Sequence, residues 1–163
     1  IYREDYYMAV IKAKTASLFH TCAKLGVLSA GKGNDEKAQR IIEMGENIGI
    51  CFQLKDDMFD YQDGEQIGKP IGNDIKDRKM TLPLLYVYEN ATDKEKEEIL
   101  EAFTNQDYAY INQIVVEKGG MAYTQQKITY YKEKALQCLQ DFEDTPTRRA
   151  LEQYITLVAD RKK

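Results

Sequence analysis

The richest chemistry in this sequence lies in Asp56, Asp57 and Asp60, three carboxylates in an Asp-Asp-x-x-Asp run set among apolar neighbours. With residues spaced about 100° apart around a helix, Gln53, Asp56, Asp57 and Asp60 share about 100° of arc; Gly49 lies on the same arc and Lys55 points away. Such a face suits Mg²⁺, which takes oxygen ligands in near-octahedral geometry, keeps several waters, and commonly uses one or two carboxylates plus phosphate oxygens. The small Gly49 would leave room for a ligand beside the acids. The bare triplet also reads as an ordinary exposed acidic face, because three acids alone discriminate weakly. An EF-hand is excluded, since the Gly64 register puts Phe59 at the loop's first ligand position.

Packed acids need cations. Lys69 stands in a Gly-flanked loop and Lys79 follows it, while Lys14 and Thr15 share a helical stripe with Ile11 and Leu18, where burying an ammonium is costly. Lys14 therefore either snorkels to water or faces an anion. Acids, a divalent ion and several lysines together form a site for a diphosphate, with the metal bridging carboxylate to phosphate and the lysines neutralising the remaining charge. His20, the only histidine, has no partner motif and reads as structural; the twelve tyrosines read as helix packing.

The elements that must position these groups are helices. Met8, Ile11, Leu18, Cys22 and Leu25 recur at helical spacing from Tyr2 to about Gly26, with Gly26 as the C-terminal stop. A second helix runs from Glu36 to about Tyr61 and carries the acids on its C-terminal half, followed by a Gly-rich loop over Asp63–Asp74. Thr81-Leu82-Pro83 starts another, Thr92-Asp93-Lys94-Glu95 is a capping box for a helix to about Phe103, and Tyr108 to Lys118 is a helix ended by Gly119-Gly120. A longer helix over Ala122–Phe142 turns Ile128, Tyr131, Ala135, Leu136 and Leu139 inward, and Thr145-Pro146 opens the last, to about Ala159. No period-two strand or tandem repeat interrupts this pattern, so residues 1–163 read as one all-α helical bundle domain.

Composition narrows the setting. With 163 residues and 43% hydrophobic content the chain can bury a real core, and a net charge of −4 with mixed signs gives no nucleic-acid footprint. No apolar run approaches the roughly 18 residues of a membrane span, and mean hydropathy is −0.58. Cys22, Cys51 and Cys138, odd in number and without a CxxC pair, argue against a disulfide framework or zinc site and fit a reducing cytoplasm.

Taken together, these residues resemble the trans-prenyl diphosphate synthases, or polyprenyl synthetases. Gly49-x-x-Phe52-Gln53-x-x-Asp56-Asp57-x-x-Asp60 is similar to that family's second aspartate-rich motif and Lys14-Thr15 to its Lys-Thr pair. Gly68-Lys69-Pro70-x-Gly72-x-Asp74 with Lys79-x-Thr81-Leu82-Pro83 is similar to the loop and helix start that follow. The resemblance implies the C-terminal portion of the isoprenoid synthase fold, an Mg²⁺ cofactor, an allylic diphosphate and isopentenyl diphosphate as substrates, and a homodimer in the parent enzyme. It implies that Asp56 ligates Mg²⁺ while Asp57 and Asp60 hold metal-bound water and basic side chains. Lys14 and Lys69 would bind the allylic diphosphate, Lys79 would support it, and Gln53 and Thr15 would face the cationic carbon. Arg161 and Lys162 would close over isopentenyl diphosphate.

The sequence departs from the family in lacking its first aspartate-rich motif, the arginine pair after it and the upstream isopentenyl-diphosphate site. With Ile1 as the first residue, the expectation is a piece of a longer synthase, itself a poor catalyst or none, with apolar surface left uncovered on the Lys14 and Asp56 helices. A non-catalytic partner subunit keeping a metal-diphosphate half-site is the alternative. A helical interaction domain with merely superficial acids is a further rival.

Overall fold

A computed structural model describes residues 2–32, 35–61 and 73–162, and every regular element among them is helical. Helix α1 (Glu4–Ile11) passes through a π-helical turn (Lys12–Ala16) into α2 (Ser17–Ser29), followed by α3 (Glu36–Phe59), the short α4 (Asn73–Lys76) and α5 (Leu82–Glu89). Then come α6 (Asp93–Thr104), α7 (Tyr108–Glu117), α8 (Gly120–Gln137) and α9 (Pro146–Asp160). No described helix is long and apolar enough to cross a membrane. The chain forms two compact units, Ile1–Met8 with Asp56–Gln126 and Ala9–Lys55 with Lys127–Lys163.

Local chemistry explains most of the helix ends. Thr92 and Glu95 form the complete capping box at α6, with the Thr92 hydroxyl accepting from the Glu95 amide and the Glu95 carboxylate accepting from the Thr92 amide. Thr145 caps α9 ahead of Pro146, and the fixed φ of Pro suits the first turn. Gly26 does not stop the first predicted helix as its position suggested. α2 continues to Ser29, and Gly31, at φ +70°, closes it as Gly31 and Lys32 donate to Leu28 O and Val27 O. Helix α8 begins at Gly120 rather than Ala122 and ends at Gln137 rather than Phe142. Leu139 lies beyond it yet is only 1% exposed.

In the unit built on Ala9–Lys55, α3 is the central rod. Met44, Ile48, Cys51 and Leu54 recur every three or four residues and are buried, and Asn47 and Ile50 bury the flanks as well, so the helix is covered around most of its girth. Ile11, Ala16, Ile128, Ala135 and Ile155 are buried in the same unit. The second unit centres on α5, whose Leu82, Leu84, Leu85 and Val87 are all buried, and where Tyr86 stacks on Tyr123 with ring centroids 4.2 Å apart. Cys22 is exposed while Cys51 and Cys138 are buried, and all three are thiols.

Two expectations change at this level. Residues 73 and 74, read as loop, begin the helical turn α4, while 62–72 lie outside the described residues. Lys14 is exposed and Leu18 beside it is 65% exposed, so although Ile11 on the same stripe is buried, the stripe is open to solvent at Lys14 and the cost of burying an ammonium does not arise. Leu25 and Leu28, at 60% and 51%, continue the exposed apolar surface along α2.

Candidate functional site

Within the unit of Ala9–Lys55 and Lys127–Lys163, a hydrogen bond joins the two motif helices. The Thr15 hydroxyl donates to Gln53 Oε1 at 2.6 Å, joining half-buried residues 38 positions apart. Thr15 stands in the π turn, whose i→i+5 pattern widens the helix by one residue; such turns recur at functional sites. Lys14, next to it, is exposed.

What brings the helices this close is glycine. A Cβ on Gly49 would lie 2.6 Å from Ala16 Cα and 3.0 Å from Phe19 Cδ2; one on Gly45 would lie 2.8 Å from both Ala23 Cβ and Phe19 O. The space expected at Gly49 for a ligand is therefore occupied by the neighbouring helix. Gly49 serves close backbone approach, one turn before the Gln53 that Thr15 contacts.

Phe52 is held from two sides. Its ring lies 5.5 Å from that of Phe19, and the Arg161 guanidinium sits 4.2 Å from its centroid while Arg161 Nη2 donates to Phe52 O at 2.9 Å. Arg161, expected over isopentenyl diphosphate, is thus engaged with α3, whereas Lys162 is exposed. Burial lowers the Lys55 ammonium below its ordinary pKa, with Asp160 opposing and Arg161 adding to the shift.

The acids belong to the other unit. Asp57 is 4% exposed, and the buried Tyr7 hydroxyl donates to its Oδ2. Burial first, and then the negative charge of Asp57, push the Tyr7 phenol well above its usual pKa. Asp60 uses both oxygens at the start of α4, accepting the Asn73 amide at 3.0 Å and the Asp74 amide at 2.9 Å. Asp56 is half-buried. Tyr61 and Thr81 share a hydroxyl–hydroxyl hydrogen bond of 3.0 Å, and burial raises the Tyr61 phenol. Lys79 is exposed and donates to Asp77 at 2.9 Å, which raises its pKa and lowers that of Asp77. Lys69, with Gly68, Pro70 and Gly72, lies outside the described residues.

The structure thus joins Thr15 to Gln53 in one unit, gives Asp57 and Asp60 protein partners in the other, and ties Lys79 to Asp77. Among the described residues no three His, Cys, Asp or Glu side chains form a group able to hold a metal ion. Tyr7 was missed by sequence reasoning, which took the tyrosines as packing. Its signal was position, two helical turns before Lys14 on the same face of an ideal helix.

Comparison with known proteins shows the family. The octaprenyl diphosphate synthase of Escherichia coli is 36% identical over 154 residues, covering 91% of this chain and 47% of its own. The geranylgeranyl pyrophosphate synthase of Bacteroides thetaiotaomicron superposes with a TM-score of 0.86 at 36% identity, over 99% of this chain and 55% of that one. A polyprenyl synthase from Caulobacter crescentus, complexed with calcium and isoprenyl diphosphate, gives 0.87 at 30% identity, over 99% and 51%. The chain spans about half the length of these relatives, their C-terminal portion. The polyprenyl synthetase model matches residues 2–117, a stretch that includes both the Lys14-Thr15 pair and the Asp56-Asp57-x-x-Asp60 run, and the chain belongs to the polyprenyl synthetase family.

Proposed function

We propose that this chain carries the diphosphate-binding half of an Mg²⁺-dependent prenyltransferase that condenses an allylic diphosphate with isopentenyl diphosphate. The observation that carries the reading is the Thr15–Gln53 hydrogen bond, because it joins two residues distant in sequence to which the resemblance assigns one task. A hydroxyl that donates its proton keeps its lone pairs, so the Thr15 oxygen stays electron-rich for an adjacent cationic carbon. Lys14, exposed beside it, binds the departing diphosphate, and Lys69 and Lys79 add charge to the same group.

The donor set fits Mg²⁺ on its chemistry. It consists of carboxylate oxygens, and Mg²⁺ needs only one or two of them, taking water and phosphate oxygens for the rest. Asp56 is the ligand in this reading, with Asp57 and Asp60 contributing charge and acceptors around it. When bound, the ion draws negative charge off the leaving diphosphate. The polypeptide's share is orientation: α3 carries Gln53 and Asp56 one turn apart, and the glycine contact at Gly49 fixes the turn before them. A cytoplasmic enzyme paired with a second copy completes the proposal.

Calorimetric titration with Mg²⁺ and an allylic diphosphate tests it. The chain should give saturable heat that Asp56→Asn removes. Absence of heat from the unsubstituted chain would overturn the half-site.

A further inference from the structure

Tyr7 does more than pack. Its ring is buried, 9% exposed, and its hydroxyl points at the one motif carboxylate that is itself buried, Asp57, fifty positions away. A carboxylate taken out of water must recover donors from the protein, and a hydroxyl donating to an anion makes a stronger bond than one between neutral groups. Asp60, in the same unit, is likewise committed through both oxygens to the amides of Asn73 and Asp74.

We infer that Tyr7 is a positioning residue, whose hydroxyl fixes the orientation of the Asp57 carboxylate so that its charge is aimed before magnesium diphosphate arrives. The inference rests on the proposed function. The Tyr7 hydroxyl occupies one acceptor site on Asp57 Oδ2 and so fixes which way the carboxylate faces. Asp57 is thereby held in one orientation as an outer acceptor beside Asp56. A freely rotating Asp57 would compete with Asp56 for the ion in several geometries; a pinned one supports a single geometry.

The test is a cycle of Tyr7→Phe, Asp57→Asn and the double variant, titrated calorimetrically with Mg²⁺ and inorganic diphosphate, with circular dichroism confirming helicity. Tyr7→Phe removes only an oxygen and should weaken uptake by about tenfold, the scale typical of lost outer-sphere partners. The double variant should bind no more weakly than Asp57→Asn alone, a non-additivity that packing loss does not produce. Equal uptake by Tyr7→Phe and the unsubstituted chain, or full additivity in the double variant, overturns the role of Tyr7 while leaving the proposed function standing. No uptake by the unsubstituted chain overturns that function and this inference with it. Should Tyr7→Phe fail to fold, Asp57→Asn decides, since affinity unchanged by it would show that the orientation of Asp57 is irrelevant.

Discussion

Gly49→Ala separates two accounts of the motif by the sign of its effect. If Gly49 bordered open ligand space, the substitution would gain about 1 kcal/mol from the better helix propensity of alanine. The structure instead puts the new methyl 2.6 Å from Ala16 Cα, 3.0 Å from Phe19 Cδ2 and 3.1 Å from Ala16 Cβ. Carbon atoms rest at about 3.5–4.0 Å, and a backbone Cα cannot swing aside, so the helices must part by about 1 Å. Overpacking of this kind costs about 1–3 kcal/mol. The upper end applies, because the closest atom is backbone, and after the propensity gain the net loss is about 1–2 kcal/mol. For a chain of this size that is a fall in Tm of roughly 2–8 °C, read by thermal or urea denaturation. The same displacement would stretch the 2.6 Å Thr15–Gln53 bond to the edge of hydrogen-bonding distance, so binding of magnesium diphosphate should weaken in parallel. An unchanged or raised Tm would refute the reasoning and return Gly49 to the ligand.

Two other measurements probe the structure independently. Hydrogen bonds from the Lys118 ammonium and then the Thr92 amide depress the Glu95 carboxyl to about 2, so its support of the α6 cap is complete above its ordinary value near 4.5 and is lost as pH falls toward 2. Carboxyl-resolved NMR titration should find Glu95 among the last acids to protonate, and a midpoint near 4.5 would contradict the capping box. Burial pushes the Cys51 thiol up to about 12 and raises that of Cys138, while Cys22 is exposed. An aromatic disulfide reagent at pH 8 should therefore label one thiol quickly and the other two only on unfolding; fast labelling of all three would show that the core of α3 opens.

What the sequence disclosed follows the range of the interaction. Thr92 with Glu95, Thr145 with Pro146, and the stop at Gly119 act within a few residues of themselves, and they lie where their pattern suggested. The Asp56-Asp57-x-x-Asp60 spacing was equally local, so the arc of acids on α3 could be drawn from numbering alone. The fate of each acid could not, because Tyr7 and the α4 amides reach Asp57 and Asp60 from elsewhere in the chain. Gly49 misled for the same reason: a missing side chain marks room, and only the partner helix shows that Ala16 fills it. Lys14 was judged by a stripe assumed to be buried, whereas Leu18 next to it stands in solvent.

The π turn at Lys12–Ala16 also constrains how this chain can change length. It amounts to one residue beyond a regular α-helix, and losing that residue would restore the ordinary pitch while turning Val10 and Ile11 by about 100° relative to Thr15 and Ala16. Ile11, now 5% exposed, would rotate off its buried side as the wholly buried Ala16 kept its place. Substitutions across Lys12 and Ala13, both exposed, can be absorbed by solvent, but a single deletion there would set two buried residues at odds. In this stretch the count of residues should be under tighter restraint than their identity.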